Sequence, residues 1–291
     1  MVYFGHKTAS KMTVQEKQGA KMQNSYFYNF HNGFLDLNTT LFCGQCFHFL
    51  KTGPTNFQGV IGSTLYYMEQ QPNGILFSWN GPKGCVQQIK NYFDLDTDYQ
   101  PILQKLQKNT LIKQAVLNYP GLRLIHQDPF ECLCTFILSQ NNNITRITGL
   151  VQRLCMLFGT PIDNGYTFPT AKQLLSADEE QWKQLRAGFR QKYLLDAANK
   201  VATGQINFEK LQQHSDHYCK NKLMEITGVG PKVADCVLLF GLHRLRCVPM
   251  DVWMKRIICA FPNKKMPRCT IPWEGIAQQF LFCYARDKKD W

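Results

Sequence analysis

Between Phe27 and Trp79 apolar and polar residues alternate in short runs broken by turn residues, and from Pro129 onward the spacing of apolar residues lengthens to three and four. Alternation with period two suits a half-buried strand, because successive side chains leave opposite faces of a sheet. The runs 57–61, 63–69 and 74–79, closed by glycine-containing connections, predict a strand meander in an antiparallel sheet. Further on, 130–140, 144–158, 181–185, 191–203 and 208–213 place apolar residues on one helical face and predict helices. The expectation is an α+β chain. A flexible tail covers 1–24, an antiparallel β-sheet domain with flanking helices covers 25–119, and a predominantly α-helical region covers 120–291.

Composition narrows the class. No apolar run approaches the roughly 20 residues that span a bilayer, and the polar N-terminal stretch lacks the features of a secretion signal, so no membrane partner is expected. The 12 cysteines then read as reduced, mostly buried thiols. Cys43 and Cys46 have half the spacing of a zinc site, but no second half follows, and neither metal nor cofactor is expected. The formal net charge of +12 favours a polyanionic partner.

The most informative stretch is 221–260, NKLMEITGVGPKVADCVLLFGLHRLRCVPMDVWMKRIICA. A helix ending near Ile226, a tight Gly228-Val229-Gly230 turn and a second helix opened by Pro231 form a helix-hairpin-helix at about 218–240. Such a turn lets phosphate approach the backbone and the amides that open the next helix. Lys232 lies in that first helical turn, where the macrodipole favours an uncharged, nucleophilic amine. Downstream, Asp251 in VPMDV reads as an N-cap whose carboxylate could stabilise positive charge developing on a sugar. Taken singly, a lysine after a GxG turn is more often solvated or on a phosphate, and an aspartate at a helix start is usually only a cap. Asp235 is the alternative carboxylate, although a same-helix partner would simply pair with the lysine.

These residues resemble the helix-hairpin-helix DNA glycosylase superfamily, and within it the 8-oxoguanine DNA glycosylases. Six ordered blocks carry the likeness: CGQCFHF (43–49), QDPFECLCTFILSQNNNITRITG (127–149), GFRQKY (188–193), GVGPKVADC (228–236), VPMDV (248–252) and AQQFLF (277–282). The resemblance implies a bifunctional glycosylase and strand-cleaving lyase of base excision repair, acting on oxidised guanine opposite cytosine in duplex DNA. It implies Lys232 as the Schiff-base nucleophile and Asp251 as the catalytic carboxylate. Gly44 would offer its carbonyl to the N7 proton that distinguishes oxidised guanine, Cys236 and Phe282 would sandwich the extruded base, and Gln278 would read its Watson–Crick edge. Asn141 would fill the vacated stack, Arg146 and Arg190 would meet the estranged cytosine, and Phe189 would wedge beside it. Gly228, Gly230 and Trp253 would contact DNA, and the carbonyls of Met224, Ile226 and Val229 could hold a cation against phosphate.

Departures from the eukaryotic pattern at Phe189, Phe240 and Trp253 suggest a bacterial-type member, and the missing hydroxyl at 189 leaves open how strictly the opposite base is read. A bacterial member would work in the cytoplasm on the nucleoid, a eukaryotic one in the nucleus, and a monomer is expected. Only Cys259, Cys269 and Cys283 follow the aspartate, too few and too scattered for the iron–sulfur cluster of related subfamilies. Two rivals remain: a glycosylase of the superfamily for other damaged bases, which for alkylated purines usually lacks the hairpin lysine, and a noncatalytic hairpin module that needs neither Lys232 nor Asp251.

Overall fold

The computed structural model describes residues 22–288. An antiparallel five-stranded sheet opens the fold, with strands β1 (Asn24–Asn29), β2 (Phe49–Lys51), β3 (Asn56–Ile61), β4 (Thr64–Gln71) and β5 (Gly74–Trp79) in the order β1-β5-β4-β3-β2. The expected meander is β3-β4-β5. Its middle strand runs two residues past the reading of the sequence, because Gln70 and Gln71 still pair with Ile75 and Gly74 and the Gln70 side chain accepts the Leu37 amide at 2.8 Å. β1 was not anticipated, and it pairs with β5 rather than with a sequence neighbour. Most of the predicted tail, 1–21, lies outside the described residues; its end does not behave as a tail, since the Gln23 amide donates to Asn80 and Asn24 already pairs with Trp79.

Two hydrophobic cores result. The smaller packs Phe49, Tyr66 and Phe77 of the sheet against Leu37, Leu41, Ile89 and Phe93 from the flanking helices. The larger is helical and is centred on Pro129–Leu138, where Phe130 through Leu138 are all buried. That helix starts where it does because Asp128 accepts the Phe130 and Glu131 amides at 2.9 Å and Pro129 takes the first helical position. The helices Tyr99–Leu106 and Thr110–Asn118, grouped by sequence with the sheet, bury their apolar faces in this larger core.

The segment 43–49 straddles the junction. Cys43 and Phe47 belong to the helical core, Cys46 and Phe49 to the sheet core. Fully buried Gln45 locks it, donating to the Thr40 and Arg123 carbonyls at 2.9 and 2.8 Å and accepting the Ile125 amide at 3.1 Å. A loop pinned between two cores is a rigid place for a backbone contact.

Candidate active site

The hairpin forms as its sequence suggests, from Asp216–Met224, the 225–230 turn and Pro231–Cys236. Gly228 has φ +79°, and a Cβ there would stand 2.4 Å from the Tyr193 ring, so both conformation and packing require glycine. A Cβ at Gly230 would meet nothing within 4 Å. The turn is braced from behind, where Asp196 accepts the Thr227 amide at 2.7 Å and Lys200 reaches the Glu225 carbonyl. Of the three carbonyls proposed to hold a cation, that of Ile226 accepts the Val229 amide at 3.0 Å and keeps one lone pair in reserve.

A cavity of about 720 Å³ opens beside the hairpin, and its lining brings together Gly44, Asn141, Lys232, Asp251, Trp253 and Phe282. Its basic lining is Lys232 and Lys255, with one carboxylate, Asp251, which suits an anionic sugar-phosphate, while Arg286 on the same wall is engaged by the Cys43 carbonyl. The Lys232 amine lies 4.7 Å from the Phe136 ring centroid and touches the Cys236 thiol. Asp251 is an N-cap, accepting the Met254 amide at 2.8 Å ahead of the Val252–Ile257 helix. Burial raises its carboxyl above the ordinary value, against the lowering pull of the Met254 amide and of Lys232. Asp235 pairs instead with Lys220 at 2.8 Å and is absent from the cavity wall. The geometry thus prefers Asp251 as the partner of Lys232.

Gly44 has φ +100°, and a Cβ there would approach Ile144 at 3.4 Å and Phe282 at 3.6 Å. Its backbone and the Phe282 ring therefore face one space. Cys236 and Gln278 sit behind the wall rather than on it, 1 % and 3 % exposed. Burial pushes the Cys236 thiol up to about 11, despite Lys232 beside it, so it is a neutral, polarisable group behind the wall. Gln278 Oε1 is buried without a hydrogen-bond partner.

Asn141 stands exposed at the cavity lip with φ +47°, after the Pro129–Leu138 helix and before Asn143, which caps Ile144–Phe158. The triple asparagine is therefore a polar turn and cap, and it also presents the exposed Asn141 side chain at the cavity. Arg146 is exposed. Arg190 differs from expectation: it is only 4 % exposed, and its guanidinium donates to the carbonyls of Gln140 and Asn141 and lies 4.4 Å from the centre of the Phe189 ring. In this conformation it supports Asn141 rather than offering free donors. Phe189 is 47 % exposed. Phe136, Lys255 and Arg286 were not singled out from the sequence, where each reads as core or as a solvated helical cation.

Residues 28–133 match the family model for the N-terminal domain of 8-oxoguanine DNA glycosylase, and 134–266 match that of the HhH-GPD superfamily of base excision DNA repair proteins. The structure is similar to that of MBOgg1 in complex with a low-affinity DNA ligand, with TM-score 0.84 and 33% identity over 93% of this chain and 98% of that one. It is also similar to Clostridium acetobutylicum 8-oxoguanine glycosylase/lyase in complex with double-stranded DNA containing cytosine opposite 8-oxoG, with TM-score 0.80 and 28% identity over 92% and 99% of the two chains. An N-glycosylase/DNA lyase of Saccharomyces cerevisiae is 37% identical over 185 residues, 58% of this chain; the match spans about half, 49%, of the yeast protein. The chain belongs to the 8-oxoguanine DNA glycosylase family, within the HhH-GPD superfamily of base excision DNA repair proteins.

Proposed function

We propose that this protein excises 8-oxoguanine opposite cytosine from duplex DNA and then cleaves the strand, acting as a monomer, on the nucleoid of a bacterial cytoplasm or in the nucleus if its source is eukaryotic. The observation that carries the reading is the convergence of Lys232, Asp251, Gly44 and Phe282 on one cavity beside the hairpin. Hairpin amides track the phosphates, the damaged nucleotide swings into the cavity, and Asn141 takes its place in the stack. The Gly44 carbonyl accepts the N7 proton of the oxidised base; guanine presents a lone pair there, and an unmatched buried carbonyl costs about 1–3 kcal/mol. Phe282 supplies a stacking face, and Gln278 an acceptor for the Watson–Crick edge once the wall adjusts.

In the chemical step the free amine of Lys232 attacks C1′ and the C1′–N9 bond breaks, the base leaving with a proton. Opening of the sugar ring, with O4′ taking a proton from water, gives a protonated Schiff base. Loss of a C2′ proton to water then expels the 3′ phosphate. Asp251 stays ionised and stabilises the positive charge that develops on the sugar.

Two assays test this. Borohydride on duplex containing 8-oxoguanine should link wild-type protein covalently to DNA, while Lys232→Gln should bind the duplex and give no adduct. Excision measured with 8-oxoguanine opposite each of the four bases should be fastest opposite cytosine; equal removal of undamaged guanine would refute the role of Gly44. A noncatalytic hairpin module would give no adduct in either form.

A further inference from the structure

The Glu274–Lys288 helix, which carries Phe282, holds Cys43 at both ends. Gln279 donates to the Cys43 sulfur at 3.0 Å, and Arg286 Nη1 donates to the Cys43 carbonyl at 2.7 Å. That carbonyl belongs to the same peptide plane as the Gly44 amide, so holding it fixes the orientation of the plane from which Gly44 turns at φ +100°. Arg286 is itself anchored. Its Nε lies 3.2 Å from Asp287 Oδ1, and the Tyr119 hydroxyl lies 2.7 Å from Asp287 Oδ2 and 3.0 Å from the Cys283 carbonyl. The guanidinium stands 5.7 Å from the centre of the Phe282 ring and borders the cavity. As a last-turn cation it would need only to face the helix C-terminus. Instead it reaches across to a loop of distant sequence.

We propose that Arg286 is a positioning residue for base discrimination: by clamping the Cys43–Gly44 peptide against the helix that bears Phe282, it aims the Gly44 carbonyl at N7 of the extruded base. The proposal rests on the reading of Gly44 given above. A hydrogen-bond acceptor displaced by a fraction of an ångström loses both its attraction for the N7 proton and its rejection of guanine. An abasic site carries no base to read, and its cleavage at Lys232 does not use Gly44.

The test compares wild-type protein with Arg286→Ala and Arg286→Lys on duplexes holding 8-oxoguanine or guanine opposite cytosine, and on an abasic duplex trapped with borohydride. Arg286→Ala should excise 8-oxoguanine about ten- to a hundredfold more slowly, with a smaller preference over guanine, while abasic trapping stays within about twofold of wild type. Arg286→Lys should recover part of the preference, because an ammonium can still donate to the carbonyl. Unchanged excision and preference in Arg286→Ala, or an equal loss on 8-oxoguanine and abasic DNA, overturns the proposal and leaves the Gly44 reading standing. No preference for 8-oxoguanine in the wild-type protein removes both.

Discussion

Asp251 has two tasks that pull in opposite directions. As an N-cap it satisfies the Met254 amide, and as a buried carboxylate it is held away from solvent, which raises its pKa above the ordinary 3.8. Between the unfolded and the raised folded value the native state binds more protons than the unfolded chain, so stability falls as pH rises through that window. At neutral pH the ionised group opposes folding. Asparagine caps a helix about as well and carries no charge, so Asp251→Asn should melt at the wild-type temperature or about 1–3 °C higher at pH 7. Its excision rate should fall about 10²–10³-fold; calorimetry showing a clear drop in melting temperature would contradict this account. In the wild type, excision should decline with acidification at a pH above that of an ordinary aspartate, as Asp251 becomes protonated; a pH–rate profile reads that limb. Lys232 and Asp251 were legible in the sequence because a hairpin, a proline and a VPxD loop flank them. Arg286 was not, since its partner is the carbonyl of Cys43, and no spacing in the sequence links the two.

At the scale of elements, the period-two and helical patterns located the β3-β4-β5 meander and Ile144–Phe158 well, because each reports a local amphipathic face. They missed β1, whose place at the edge beside β5 depends on pairing distant in sequence. The hairpin offers a paired prediction. Gly228→Ala forces a Cβ into Tyr193 at positive φ and should lose about 1–3 kcal/mol of stability together with duplex affinity. Gly230→Ala meets nothing inside the protein, so it should melt as wild type yet bind duplex more weakly where phosphate approaches. Equal DNA affinity of Gly230→Ala and wild type, measured by fluorescence anisotropy, would place the phosphate elsewhere.

For the whole molecule, the net charge of +12 predicts how binding responds to salt. If four or more phosphates are neutralised, affinity for undamaged duplex should fall at least about a hundredfold between 50 and 200 mM salt. A nearly flat response would mean that few of these charges meet the backbone of DNA. The cavity itself is an assembly of remote pieces: Gly44 from the junction loop, Asn141 from a helix turn, Lys232 and Asp251 around the hairpin, and Phe282 from the last helix. Sequence likeness named these parts, but composition and periodicity alone had no means of joining them.

The last helix contributes Ile276, Ala277, Phe280 and Leu281 to the larger core, each at most 1 % exposed, as well as the Phe282 ring on the cavity wall. A chain cut short before it would keep Lys232, Asp251 and Gly44 and lose Gln278, Phe282 and Arg286. Because the same cut also removes Cys283 and Ala285, so that six buried side chains in all leave the core, such a fragment would fail to fold, and a strand-cutting remnant would not accumulate beside intact DNA.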